Sequence, residues 1–572
     1  MKILSLSYYS DILNHSMPEF FFHKNNSCYG KYNITYLVCD KFFNSINCKS
    51  MDNRGIISNE SKNKVCHNCV KTSDFYQKNS NFNFLKISDF VYYEDQKQAQ
   101  IFLNKITPKN IFKRKFMGIN IGEILKFDYI LSNQLTYLEI NSENFIKLKK
   151  NYELAVKMIL SLNNIIKINT FEWVTCYSSE YSFNKISLAF LKLKGVKPIN
   201  LLASNWHRNE TYKYLSVSKN FDKLPGYDIG KNWKNFKVLP NSSDEYSVVK
   251  NFVNSNIYSK SFFTYSSSFK NIDIYKKYQI DKNKKIIFVI CSSNDEIFAF
   301  TTQSIFKKKK YLFNKEEDWI NNLIKYSKEL KDEILIIRPH PRIFKRNITE
   351  QVNFFNKLKK KKYKNIIVNL PEDNLSIYDI LRNTDLVLAS CSSFIIDVAF
   401  FNIPILAHNL HLNLGYEKCI RDIVFQATNR KEYFKMIKIL PYKQKANLQQ
   451  KSLNAFKIIS LLMKYNAFKT NNIYDLDISN LSRKFMNKFS FYLNCPNILL
   501  NYYNFKFSAD KNLYKAFNQI LTTKIRSSVE FSVLNKSKKF NKVKKIDNKL
   551  DNKNLEYLIN KIKISNSISF IN

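Results

Sequence analysis

A chain of 572 residues has room for two or three domains, each with its own core, and 45% hydrophobic residues suits a globular protein. The 91 Lys and Arg outnumber the 47 Asp and Glu, giving +44, yet Lys, Asn, Ile, Phe and Tyr are abundant throughout and Gly numbers only 8. The excess therefore reads as a chain-wide compositional drift, and no nucleic-acid partner is expected. Other classes drop out as well. No run of about 18 apolar residues predicts a membrane-spanning helix. None of the 8 glycines falls in G-x-G-x-x-G or G-x-x-x-x-G-K-[ST], which argues against a nicotinamide or flavin fingerprint and against a P-loop. The opening MKILSLSYYS lacks the apolar core of a secretory signal, and the 10 scattered cysteines do not form a dense disulfide scaffold, so a cytoplasmic protein is expected.

In chain order, KILSLSY opens as a strand, followed by ITYLVC (34–39), a long helix around 145–163, the strand FEWVTC (171–176), a helix over 183–194 and the strand VKPINLL (196–202). Lys194-Gly195 supplies the glycine that closes a helix at its C-terminus. These elements predict a Rossmann-like N-terminal domain over 1–250, irregular from 204 onward, and then a linker over 251–280. From 281 to 425 the strands KIIFVIC (285–291), ILII (334–337), IIVNL (366–370), LVLAS (386–390) and PILAH (404–408) alternate with helices near 317–330, 348–360, 375–383 and 393–401. Such alternation predicts a parallel sheet with right-handed crossovers, a second Rossmann-like domain. Residues 426–522 read as a helical extension and 523–572 as a basic, low-complexity tail, loosely ordered and close enough to anionic lipid to help hold the protein there. The fold class is thus α/β, two Rossmann-like domains facing across a cleft with a helical C-terminal extension.

The chemistry concentrates at two strand ends. ILII runs into Arg338-Pro339-His340-Pro341-Arg342, a loop stiffened by two prolines at the edge where open α/β sheets bind ligands. LVLA runs into Ser390-Cys391-Ser392-Ser393 and then a helix, and N–H groups at a helix start receive phosphate. His340, Ser392 and Ser393 together could hold a phosphate, and Arg338 and Arg342 could neutralise it. Asp295 and Glu296, after the first strand of this domain, are positioned to line the ligand cleft.

RPHPR, followed some fifty residues later by a strand, a Ser-Ser pair, an acidic residue in the next helix and Asn-Ile-Pro-Ile, resembles the donor-nucleotide domain of bacterial GT-B glycosyltransferases of surface-polysaccharide type. Capsule synthesis transferases, bacterial sialyltransferases and CDP-glycerol glycerophosphotransferases share this pair of motifs. CSSNDEIFAF (291–300) also resembles the segment after the first strand of that domain in surface-carbohydrate synthesis proteins. The resemblance implies a metal-independent transferase of capsule polysaccharide biosynthesis that takes a sugar or polyol phosphate from a CMP- or CDP-linked donor. It implies that His340, Ser392 and Ser393 contact the donor phosphate. Asp397 stands where such families place a glutamate against the ribose, one methylene shorter. The acceptor would be a glycan or lipid-linked glycan met at the cytoplasmic face of the membrane.

The acceptor hydroxyl needs a base, expected from the N-terminal domain, and the acidic triplet of the sialyltransferases is not present in this chain. Glu180 after FEWVTC, Glu123 in MGINIGE and His207 in NWHRNE are the candidates, with Gly118 and Gly122 allowing close approach of another chain segment beside Glu123. Cys39, Cys48, Cys66 and Cys69 form C-x8-C-x17-C-x2-C, whose last pair is the usual half-site of a structural zinc. Two other readings stay open: a UDP-sugar 2-epimerase, built on the same fold, and a non-catalytic basic module that binds nucleic acid or an acidic polymer.

Overall fold

A computed structural model describes residues 1–30, 32–43, 48, 59–138, 140–203, 214–223, 226–258, 268–302, 311–345, 348–390, 392–410, 415–442, 448–469, 509–540 and 553–560. Two compact units emerge, and each is an open twisted sheet flanked by helices. The first comprises Met1–Asn133, Tyr137–Lys223 and Ala467–Phe531; the second comprises Gln134–Thr136, Leu224–Asn466 and Ser532–Asn572.

In the first unit β1 (Lys2–Ser7), β2 (Asn33–Val38), β3 (Asn83–Lys86), β4 (Trp173–Tyr177), β5 (Lys197–Ala203) and β6 (Tyr214–Ser218) are joined by a short strand from far along the chain, β13 (Phe468–Lys469), which gives the order β13-β6-β5-β4-β1-β2-β3. The first five strands run parallel, with Leu4 opposite Thr35 on one side and Val174 on the other. β6 pairs antiparallel with β5. β1 is apolar or small at every position after Lys2, and five of its six residues are buried, as a strand covered on both faces requires. The long helix Ser142–Ile168 starts on Asn141, whose side chain accepts from the Asn144 N–H at 2.8 Å. The helix Ser182–Leu193 stops as its sequence dictates: Gly195 takes φ +87°, and Val196 returns a backbone bond to Leu191.

In the second unit β7 (Lys285–Ile290), β8 (Glu333–Arg338), β9 (Ile366–Val368), β10 (Leu386–Ala389), β11 (Ile405–Ala407) and β12 (Phe425–Gln426) form an all-parallel sheet in the order β12-β11-β10-β7-β8-β9. The strands expected from the apolar runs at 285, 334, 366, 386 and 404 are all present. Trp319, Tyr433 and Phe313 fill the space between sheet and helices on one face, with the Trp319 indole N–H donating to the Tyr433 hydroxyl at 3.0 Å.

The units do not follow the divisions drawn from the sequence at 250, 281 and 523. Residues 226–257 form two helices of the second unit: Trp233 donates to Asp422 at 2.8 Å and Asn256 to Asp397 at 2.9 Å. The chain then returns. β13 (Phe468–Lys469) pairs antiparallel with β6, and the helix Lys511–Thr522 lays Phe517 against Phe22 of the helix Leu13–Tyr29, ring centroids 4.7 Å apart. The segment read as a loose tail from 523 is structured through 540: Ser527 and Ser528 are buried, the Val217 N–H donates to Ser528 Oγ at 3.1 Å, and a helix runs over Ser528–Phe540. Low complexity concealed an apolar set, with Val529 and Val533 buried between lysines and serines.

Because Phe517 is fully buried against the first helix of the chain, Phe517→Ala should destabilise the first unit by about 3 to 5 kcal/mol. Denaturant unfolding followed by tyrosine fluorescence and circular dichroism reads this directly, and an unchanged midpoint would mean that the C-terminal return is not part of that core.

Candidate functional site

Each sheet reverses its winding direction once, and a ligand crevice opens at such a reversal, outside the carboxyl ends of the strands. In the second unit the chain builds β7, β8 and β9 outward on one side, then crosses to β10, so the reversal lies between β7 and β10. The loops after β7, β8 and β10 carry the residues singled out from the sequence.

The loop after β7 is clasped from behind. The Ser292 N–H donates to Glu316 Oε1 at 2.6 Å, the Asn294 N–H to Gln351 Oε1 at 3.0 Å, and the Asn294 amide to both Glu317 oxygens at 2.7 and 2.8 Å. Asp295, fully buried, accepts from the Ser293 hydroxyl and from Arg342 Nη2 at 2.9 Å. Glu296 lies 3.4 Å from Arg342 Nε. The residues expected to line a ligand cleft are thus paired with an arginine expected to meet phosphate, and the pairing ties the β8 loop to the β7 loop.

His340 sits on that tied loop, half-buried. Its Nδ1 accepts the Arg342 backbone N–H at 3.2 Å, so the neutral ring carries its proton on Nε2. Burial above all, reinforced by the Arg342 charge and opposed by Asp295, holds its pKa down to about 4. At neutral pH His340 is an uncharged N–H donor. Ser392, half-buried, accepts the Phe394 N–H at 3.3 Å through Oγ, and Ser393 is exposed just ahead of the helix Ile395–Phe400. A hydroxyl, backbone N–H groups and an imidazole N–H therefore stand at the ends of β10 and β8, on either side of β7.

Two assignments made from the sequence take a different place. Arg338 is buried and gives Nη1 to Asn369 Oδ1 at 2.7 Å and to the Leu375 carbonyl at 3.1 Å, which joins the loops after β8 and β9. Burial brings its pKa down to about 10, so it remains charged at neutral pH while serving the fold. Asp397 is buried and accepts from Asn256 at 2.9 Å and the Tyr378 hydroxyl at 3.1 Å. Its carboxylate joins helices of one unit, where a ribose contact was expected.

In the first unit the reversal lies between β1 and β4. Glu180 follows β4, and its pKa is raised, first by burial and further by Asp128, against the pull of Lys185. His15, in the first turns of the helix after β1, stacks on Tyr177 with ring centroids 4.1 Å apart and lies 3.4 Å from the Tyr181 hydroxyl through Nδ1. Ser178, between these residues, holds φ +58° and donates its N–H to the Leu201 carbonyl at 2.7 Å. A histidine and a carboxyl thus share this edge. His15 escaped the sequence reading, although asking which polar residue follows each strand end would have found it.

Glu123 is bound elsewhere: Lys126 donates to it at 2.7 Å one turn along the helix Ile121–Ser132. Gly122 beside it serves a close approach within the chain, because a Cβ there would lie 2.0 Å from the Ile111 carbonyl oxygen. His207 lies outside the described residues. Cys39 accepts the Phe43 N–H at 3.4 Å and Cys69 the Asp11 N–H at 3.3 Å, while burial raises the thiol pKa of Cys39, Cys66 and Cys69. Among the described residues no three His, Cys, Asp or Glu side chains form a metal-holding group, although Cys48 lies near enough to Cys39 and Cys69 to add to the rise of their thiol pKa.

No protein-family model and no curated protein matches the chain. Solved structures similar to it include a UDP-GlcNAc 2-epimerase from Methanocaldococcus jannaschii, 11% identical over 78% of this chain and 94% of that one with a TM-score of 0.28. The sucrose-phosphate synthase of Thermosynechococcus elongatus is 7% identical over 81% and 95%, TM-score 0.28. The spinosyn rhamnosyltransferase SpnG complexed with thymidine diphosphate is 7% identical over 82% and 98%, TM-score 0.25. The two Rossmann-like sheets are established by the strand order and register of this chain itself.

Glu316, which sequence reasoning missed because it lies a helix away from the loop it holds, has a pKa pushed up to about 8, chiefly by burial. The unfolded carboxyl ionises near 4.5, so between these values the folded state binds more protons and stability falls as pH rises. Glu316→Gln keeps the acceptor for Ser292 and removes the ionisation. The variant should therefore lose less Tm than the parent between pH 6 and about 9, measured by calorimetry; parallel curves would contradict the buried neutral acid.

Proposed function

We propose that the chain is a GT-B glycosyltransferase that moves a sugar, or a polyol phosphate, from a nucleotide-activated donor to a surface polysaccharide acceptor. The observation that carries the reading is His340. It is a neutral N–H donor on a loop fixed by Arg342 and Asp295, beside the winding reversal of an all-parallel sheet. A neutral donor can bond to a diphosphate or a monophosphate without needing to lose a proton, and that bond strengthens as charge collects on the departing nucleotide. Ser392 and Ser393 would take the remaining phosphate oxygens. An acceptor hydroxyl bound at the edge of the first unit would give its proton to Glu180 or His15; the raised pKa of Glu180 brings its basicity toward neutral pH, as a general base requires. A CMP- or CDP-linked donor remains the preferred class because the paired motifs resemble transferases that use such donors.

Thermal shift against CMP-, CDP-, UDP- and GDP-sugars identifies the donor, since a ligand that binds the folded state raises Tm by mass action. Transfer is then assayed with and without a glycan acceptor. His340→Ala should lower kcat/KM about ten- to a hundredfold with folding nearly intact, the equivalent of roughly 1.5 to 3 kcal/mol for a hydrogen bond to a charged group. Conversion of a UDP-sugar with no acceptor present would replace transfer by epimerisation. Full activity of His340→Ala at unchanged donor KM would remove the phosphate-site assignment.

A further inference from the structure

Neither edge accounts for residues 105–119. From Gln96 to Gly122 the chain carries six basic residues (Lys97, Lys105, Lys109, Lys113, Arg114, Lys115) and no acidic one, a local +6 where the chain-wide +44 over 572 residues would give about +2. This stretch departs from the general drift, and its lysines and arginine from 105 to 115 are all exposed. They are not loosely hung. Arg114 Nη2 and the Asn110 amide both donate to the Lys105 carbonyl, at 3.3 and 3.0 Å, and the Tyr152 hydroxyl of the long helix donates to the Arg114 carbonyl at 2.7 Å.

The basic stretch ends in a two-residue turn. Phe116 and Ile119 exchange both backbone hydrogen bonds at 2.9 Å, and the residues between them, Met117 and Gly118, hold φ +44° and +84°. Turns with two positive φ values are dominated by Asn, Asp and Gly, so a methionine in the first position is conformationally costly. Met117 is 38% exposed despite being apolar. A Cβ on Gly118 would stand 3.1 Å from Leu193 Cδ1, so the turn lies against Leu193, itself 62% exposed. The result is an apolar tip set among cationic side chains.

We propose that this tip is a membrane-contact element: Met117 and Leu193 enter the headgroup boundary of an anionic lipid surface, while Lys105, Lys113, Arg114 and Lys115 meet its phosphates. The charges fit an anionic surface, and the apolar tip decides which one. A polyanion in water offers methionine and leucine nothing, whereas a lipid interface removes their apolar area from water and lets lysine stems lie along it. Among the described residues no helix is long and apolar enough to cross a membrane, so attachment of this kind would be peripheral. The proposal stands independently of the reaction proposed above.

The full chain is sedimented with vesicles of phosphatidylcholine alone or with about 30% phosphatidylglycerol, and folding of every variant is checked by circular dichroism and Tm. The parent should bind the anionic vesicles, lose binding as salt rises, and bind pure phosphatidylcholine weakly. Reversing Lys113→Glu, Arg114→Glu and Lys115→Glu together should lower partitioning on the order of a hundredfold or more. Reversing Lys357→Glu, Lys360→Glu and Lys361→Glu, exposed lysines of the other unit, changes net charge equally and should leave partitioning within about threefold if each lysine acts only near the surface. Met117→Gly removes the apolar tip without adding backbone strain, because glycine relieves the positive φ; it should weaken vesicle binding several-fold while Tm is little changed. The proposal is overturned if the parent does not bind anionic vesicles, if both triple reversals weaken binding alike, or if Met117→Gly binds as the parent does.

Discussion

The ion pair between Arg342 and the fully buried Asp295, 2.9 Å apart, sets the geometry of the second unit's ligand edge. A buried carboxylate is tolerated only when its charge is met, and removing one partner of such a pair typically costs about 3 to 5 kcal/mol. Here the partner comes from the loop after β8 while the carboxylate belongs to the helix after β7, so the same bond that neutralises Asp295 also holds two strand-end loops together. His340 inherits both consequences. Its Nδ1 is occupied by the Arg342 N–H, and the Arg342 charge adds to the burial that chiefly holds the ring neutral, with the proton on Nε2.

The two candidate edges are electrostatically opposite. Burial lowers the pKa of His340 and raises that of Glu180, each toward its neutral form. The first edge adds stacked rings, His15 on Tyr177, where the second offers hydroxyl and backbone donors.

How much of this was legible follows from the range of the interactions involved. β7, β8 and β10 are built on buried apolar runs, and the ends of β8 and β10 announce themselves in Arg338-Pro339-His340 and Ser390-Cys391-Ser392, so both the sheet and the placement of His340 at a strand end could be read locally. The β7 clasp could not, because Glu316 and Gln351 reach the loop from helices 24 and 57 residues away along the chain. Arg338 and Arg342 look alike in RPHPR; only the structure shows that the first turns to Asn369 and the second to Asp295. The unit boundaries were hidden for a related reason. β13 is two residues long and pairs with a strand some 250 positions earlier, and no local pattern carries that information.

Scarcity of glycine shapes the backbone everywhere else. The chain spends some of its 8 glycines where another chain segment comes too close for a Cβ: a Cβ on Gly230 would stand 2.2 Å from the Gly415 carbonyl oxygen, and one on Gly226 would meet the ring of Tyr416. Left-handed positions that glycine would ordinarily fill then fall to other residues, ten of them among those described. Four are Asn271, Asn374, Asn402 and Asn409, the residue type that tolerates this conformation best after glycine and one that the composition supplies freely. The rest need a stronger reason, since side chains without that tolerance hold such a conformation only where the surrounding structure imposes it. Two of them are Ser178, at the end of β4, and Met117, at the tip of the basic turn of the first unit.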